Sequence, residues 1–319
     1  MLAFLGRHAT TCMALGIVAG LALPRLANVL QPLLVPTLLI PLTLALLRLD
    51  WRALPAWRTR PLLLAVLVAG LLLATPVVVW LATAPLAAIG LPDPVRTALV
   101  LMAASSPIVS SVALALILRA DATLAAVGVL AATALVPVTL PGMAAALLGV
   151  TLTIDLPTFM ARLVGLVGAA FAASWVIRRL AGPARLARAS DLLDGLTVIN
   201  LVVFAIAIMD GVDAFARERP AFVAIAVAAA FGTNLALQAA AYGLARRLPR
   251  PQRLSIALMA GNRNMGLVLV ALQGQAAFEV TVFFALAQIP MYVLPAALRR
   301  LYAPRAIATR KAGTSDGGG

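Results

Sequence analysis

The sequence predicts an all-α membrane protein: ten transmembrane helices as a 5+5 inverted repeat, with the fourth and ninth helices broken. Three observations predict it. Hydrophobic residues make up 63% of the 319-residue chain and charged residues only 11%, with a mean hydropathy of +1.04, far from the make-up of a soluble domain. The apolar residues gather into ten runs of roughly bilayer-crossing length. Basic residues fall between those runs with a strong side preference.

The runs cover 9–23, 28–47, 62–83, 97–118, 122–148, 158–177, 192–209, 220–245, 254–272 and 279–298. The first is short, and Pro-containing turns such as Pro24 and Pro92-Asp93-Pro94 separate several others. Together they predict one membrane domain over 1–303, with halves at about 9–148 and about 158–301. A tail at 304–319 follows, whose Gly-rich polar end is expected to be a disordered cytoplasmic terminus. Arg7-His8 ahead of a short apolar run also fits a cleaved signal peptide, which would leave nine helices.

With the amino terminus placed in the cytoplasm, 19 basic residues fall inside, from Arg7 and Arg48 to Arg310 and Lys311. Only Arg25, Arg96, Arg162, Arg217 and Arg219 fall outside. That asymmetry obeys the positive-inside rule and predicts an inner (plasma) membrane protein with both termini cytoplasmic. A net charge of +14 does not point to nucleic acid, because the basic residues cluster between apolar runs rather than on one polar face. The lipid bilayer is the expected partner. One cysteine, Cys12, and one histidine, His8, exclude an intrachain disulfide and a Cys- or His-rich metal site.

Corresponding spans of the two halves carry corresponding irregularities. Ser105-Ser106-Pro107 lies mid-span in the fourth, followed by Ser110 and Ser111; Gly261-Asn262-Arg263-Asn264-Met265-Gly266 lies mid-span in the ninth. The fifth holds Pro137 and Pro141, and the tenth Pro290 and Pro295. Matched interruptions in inverted halves point to a binding site near the midplane, since hydrocarbon cannot satisfy the freed N–H and C=O groups. Arg263 lies nine residues from either end of its run, roughly 14 Å deep, where a charge costs at least ~2.5–3.5 kcal/mol. It is therefore expected to line a protected, wet cavity. Blander readings stand beside this one: Ser105 to Pro107 as a repaired kink, Asn262 and Asn264 as interhelical hydrogen-bonding groups, and Arg263 as a tie to backbone carbonyls.

These residues carry a resemblance to the bile acid:sodium symporter superfamily. Pro107-Ile108-Val109-Ser110-Ser111 through Leu118-Arg119-Ala120-Asp121 is similar to the family's Pro-Gly-Gly-Thr-Ala-Ser-Asn segment ending in Ala-Arg-Gly-Asp, with a spacing one residue shorter. Gly261-Asn262-Arg263-Asn264-Met265-Gly266-Leu267 resembles its Glu-x-Gly-x-Gln-Asn-x-Gly-Leu segment, and Thr75-Pro76 sits where its third span carries a proline. The resemblance implies a secondary carrier by alternating access, with spans 3–5 and 8–10 as a core bundle and 1, 2, 6 and 7 as a panel. Sodium is the family's coupling ion. Its ligand positions fall here on Met259, Ser111-Val112, Ala125, Val129 and Leu71, of which only Ser111 has a side-chain oxygen, and its glutamine falls on Arg263. No sodium site or other cofactor is therefore expected; the fixed charge of Arg263 is read as standing in for the ion.

The same residues define the expected substrate. Ser105, Ser106, Pro107, Ser110, Ser111, Asn262, Arg263 and Asn264 form the candidate binding set for a small organic anion, with Arg263 giving a bidentate contact. Asn234, Gln238 and Gln288 are candidate lining residues, and helix–helix hydrogen bonding explains them equally well. No Asp, Glu or His lies mid-span to carry a coupled proton; Asp121 is nearest, in a polar turn with Arg119. The alternatives are another permease of this architecture, of the auxin-efflux or arsenite type, or a ligand-binding sensor or channel. An arsenite carrier calls for a cysteine in span four, where this chain has none. An enzyme is not expected without an intramembrane acid–base pair, metal cluster or activated nucleophile.

Overall fold

Proline marks the start of many helices. The computed structural model describes residues 9–48, 60–149, 155–272 and 275–297. Helix α1 (Ala9–Ala22) is followed by α2 (Pro24–Leu30), a 3-10 turn at Gln31–Leu33 and α3 (Leu34–Arg48). Helix α4 (Pro61–Ala69) passes through a π turn at Gly70–Ala74 into α5 (Thr75–Ala88). Then come α6 (Asp93–Ala104), α7 (Ser110–Ile117), α8 (Ala122–Leu148), α9 (Leu156–Ala181), α10 (Pro183–Arg188) and α11 (Ser190–Ala207). The rest comprises α12 (Val212–Glu218), α13 (Pro220–Leu244), α14 (Arg250–Gly261), α15 (Met265–Ala271), α16 (Phe278–Leu286) and α17 (Gln288–Ala297). A proline occupies the first or second position of α2, α4, α6, α9, α10, α13 and α14, where its missing N–H costs nothing.

The protein is an all-α, multi-pass membrane protein; no strand forms among the described residues. Six helical stretches are long and apolar enough to cross a membrane: Pro24–Leu47, Pro61–Ala88, Ala122–Leu148, Leu156–Ala181, Ser190–Glu218 and Pro220–Leu244. The other four sequence runs are the short α1 and three divided ones, α6/α7, α14/α15 and α16/α17. The last division follows from Pro290, which lacks the N–H that would reach the Leu286 carbonyl. Large apolar side chains such as Val66, Leu81, Val138 and Val164 remain exposed, a surface suited to lipid rather than water. The expected tail at 304–319 and the basic residues Arg7, Arg52, Arg58, Arg299, Arg300, Arg305, Arg310 and Lys311 lie outside the described residues, as does His8. Cys12 is half-buried on α1.

The helices pack in two groups. Helices α1, α2, α3, α9 and α11 contact one another, and Asn200 donates 2.6 Å to the Thr37 carbonyl to tie α11 to α3. Helices α4 to α8 pack with α13 to α16. The groups meet where α9 lies on α8 and α15, where α17 lies on α1, and where α15 lies on α3. At Gly266 the approach is close: a Cβ there would lie 2.8 Å from Leu38 Cδ1 and 3.0 Å from Phe204 Cζ.

The polar turn between α7 and α8 is a helix cap. Asp121 Oδ1 accepts from the Leu124 N–H at 2.8 Å, while the Asp121 N–H donates to the Pro251 carbonyl at 3.1 Å. Ser255 Oγ donates 2.7 Å to the Asp121 carbonyl, joining the start of α8 to the first turns of α14. Asp121→Ala is expected to destabilise the fold by about 1 kcal/mol, the usual worth of an N-cap, with Asp121→Asn close to wild type. Thermal unfolding in detergent measures both.

Candidate functional site

The two expected breaks lie face to face. Pro107 has no N–H to continue α6, and it disfavours helical geometry at the residue before it, Ser106. The chain accordingly leaves helix at Ser105, with φ −72° and ψ 165°. The second break runs through Asn262, at φ −95° and ψ 96°, to Asn264, at φ −82° and ψ 71°. Pro107 and Arg263 form an antiparallel bridge. The Ile108 N–H donates to the Asn262 carbonyl at 2.9 Å, and the Asn264 N–H to the Ser106 carbonyl at 2.8 Å. Each break thus supplies polar partners that hydrocarbon would deny the other.

Arg263 occupies the centre of this crossing and is fully buried. Its Nε donates to the Ala260 carbonyl at 2.9 Å, and its Nη1 to the Ser105 carbonyl at 2.9 Å and the Leu71 carbonyl at 3.0 Å. Each acceptor lacks its ordinary helical donor for a definable reason. The Ala260 carbonyl would pair with the Asn264 N–H, which goes to Ser106 instead. Ser105 lies past the end of α6. In the π turn the Thr75 N–H bonds the Gly70 carbonyl, so the next donor in register, for Leu71, would be Pro76, which has no N–H. Thr75 Oγ1 adds a 2.8 Å bond to the same Gly70 carbonyl. The carboxyl ends of α6 and α14, with their partial negative charge, also converge on the guanidinium.

Arg263 is fully enclosed, and its Nε and Nη1 tie backbone carbonyls together. Those carbonyl oxygens are freed by three irregular segments and accept from the guanidinium. Among the described residues no carboxylate pairs with it. Hydrogen-bonding capacity remains: Arg263 Nη2, Ser106 Oγ and Ser111 Oγ are buried without partners among the described residues.

Most of the other expected residues lie at or beside the same crossing, and Gln288 lies on α17. Ser105 Oγ donates 2.7 Å to the Met102 carbonyl, and Pro107 is buried in the bridge. Asn262 Nδ2 donates 3.0 Å to the Leu258 carbonyl; Asn264 Oδ1 caps α15 by accepting from the Leu267 N–H at 3.2 Å. Ser110, at the start of α7, is exposed. Asn234 on α13 donates 2.9 Å to the Gly261 carbonyl, and Gln238 donates to Asn234 Oδ1. Gln288 donates 3.3 Å to the Phe284 carbonyl across the α16/α17 division. Asn234 thus joins α13 to the end of α14, whereas the Gln288 bond stays within its own span.

Of the positions where the resemblance places sodium ligands, Ser111 carries a buried hydroxyl without a partner among the described residues. Met259, Leu71, Ala125 and Val129 are buried apolar side chains, and the Met259 thioether lies over Gly128. The oxygens at the crossing already surround a guanidinium. The Leu71 carbonyl is the partner that sequence reasoning missed; Pro76, which strips it of its donor, was the available signal. No protein-family model matches this chain, and no curated protein sequence matches it significantly.

Proposed function

We propose that this protein is a secondary carrier of ten spans in two inverted halves, related to the bile acid:sodium symporter superfamily. It moves a small organic anion across the inner membrane by alternating access, with both termini cytoplasmic. The observation that carries this reading is the crossing of two broken spans around a buried guanidinium with no acidic partner among the described residues. Polar backbone at such depth is tolerated where protein or a cavity satisfies it, and paired broken spans mark carrier sites. Exposed Ser110 and the unfilled donors of Ser106, Ser111 and Arg263 Nη2 are the groups an anion would engage on opening.

Arg263 takes the part of a tethered coupling cation in this proposal. The Leu71, Ser105 and Ala260 carbonyls surround its guanidinium as oxygens surround a bound ion. The carrier therefore works without sodium, as a uniporter or exchanger. Uptake of a panel of carboxylates and sulfonates into proteoliposomes tests it. At least one anion is expected to enter at a rate unchanged when choline replaces sodium. Uptake abolished by choline contradicts the tethered-ion reading; conductance far above carrier rates identifies a channel.

A further inference from the structure

Away from the crossing, a cavity of about 260 Å³ opens where the ends of α11 and α15 meet the 3-10 turn after α2 and the start of α16. Leu269, Phe278 and Phe284 contribute apolar walls, and Gln31, Thr281 and Asp210 contribute polar groups. Among the described residues no basic side chain lines it, and neither Arg263 nor its partners reach it. Asp210 is half-buried. Its carboxylate receives only long contacts, 3.4 Å to each oxygen from Asn28 Nδ2, and no cation pairs with it among the described residues.

The neighbouring backbone fixes an aromatic ring beside this carboxylate. Gly211 turns the chain with φ +74°, and the ring of Phe278 packs so closely that a Cβ at 211 would lie 2.9 Å from its Cζ. Phe215 meets the same ring edge-on at 5.9 Å between centroids. A half-buried carboxylate without a counter-charge among the described residues, with the Phe278 ring lining the same cavity, favours a cation on an apolar body and disfavours an anion. The volume lies below the ~300–1,000 Å³ of pockets for drug-sized ligands, so the occupant is about one ring in size.

We infer that this cavity is a binding site for a small organic ammonium ion, with Asp210 as its counter-ion and the accessible Phe278 ring against its apolar part. The inference goes beyond the carrier reading and does not depend on it. Equilibrium dialysis of the full chain in detergent tests it, with benzyltrimethylammonium as the cation, benzyl alcohol as the neutral probe and benzoate as the anion. The wild type is expected to prefer the cation over both others. Asp210→Asn is expected to weaken cation binding by roughly tenfold or more, the scale of one charge-assisted contact, leaving benzyl alcohol unchanged. Phe278→Leu is expected to weaken the cation severalfold, and it carries the test if Asp210→Asn does not fold. No cation binding at millimolar concentration, equal binding of benzoate, or cation binding unaffected by these variants overturns the inference.

Discussion

Arg263→Met is expected to lower the thermal stability of the detergent-solubilised protein more than any other single substitution at the crossing. Methionine approximates the length of the buried chain but leaves the Leu71, Ser105 and Ala260 carbonyls without donors. Each buried acceptor left unpaired costs about 1–3 kcal/mol, so the combined loss is expected to exceed about 3 kcal/mol. Arg263→Lys keeps the charge but not the planar fork that reaches carbonyls on three segments, and should fall between the two. Thermal unfolding followed by intrinsic tryptophan fluorescence reads that order. A methionine variant as stable as the wild type would show that water satisfies the carbonyls and that the guanidinium is not their organising group. In the uptake assay, the same order is expected if the side chain serves as a tethered cation.

Gly261→Ala is the second large effect. A Cβ at 261 would collide with Gln238 Cγ and lie 2.9 Å from the Asn234 carbonyl oxygen. Gln238 has some freedom to yield; the carbonyl of α13 has none without moving its helix. Helices α13 and α14 make the most extensive helix pair in the molecule, and forcing them apart also displaces the Asn234 bond to the Gly261 carbonyl. A cost of about 1–3 kcal/mol follows from overpacking alone. Gly232→Ala, on the same α13 with nothing within 4 Å of the new methyl, is the matched control and should be neutral or slightly stabilising. Equal melting temperatures for the two variants would refute the close-packing account.

Local chemistry explains what could be read from the sequence. Helix α8 spans Ala122–Leu148, the same bounds as the predicted run, because its ends carry clear signals: an Asp cap and a terminal glycine. The breaks at Ser105 to Pro107 and around Asn262 also appeared in the sequence as polar and helix-breaking residues in apolar surroundings. What satisfies them did not. The bridge joins segments from opposite halves of the chain, and no periodicity encodes such pairing. Hydropathy likewise gives the cost of burying Arg263 without saying whether water or carbonyls meet it. The cavity at Asp210 draws its walls from five separate elements, so no one stretch of sequence announces it.

Because the two unwound stretches are stitched to each other, none of the four half-helices they join can tilt alone. Independent tilting would tear two main-chain bonds and unseat a guanidinium with no solvent at hand to compensate. Any rearrangement has to carry α6, α7, α14 and α15 as one block. The seam beside that block is of another kind: where α15 meets α3 and α11, Leu38 and Phe204 close on Gly266 through apolar side chains alone.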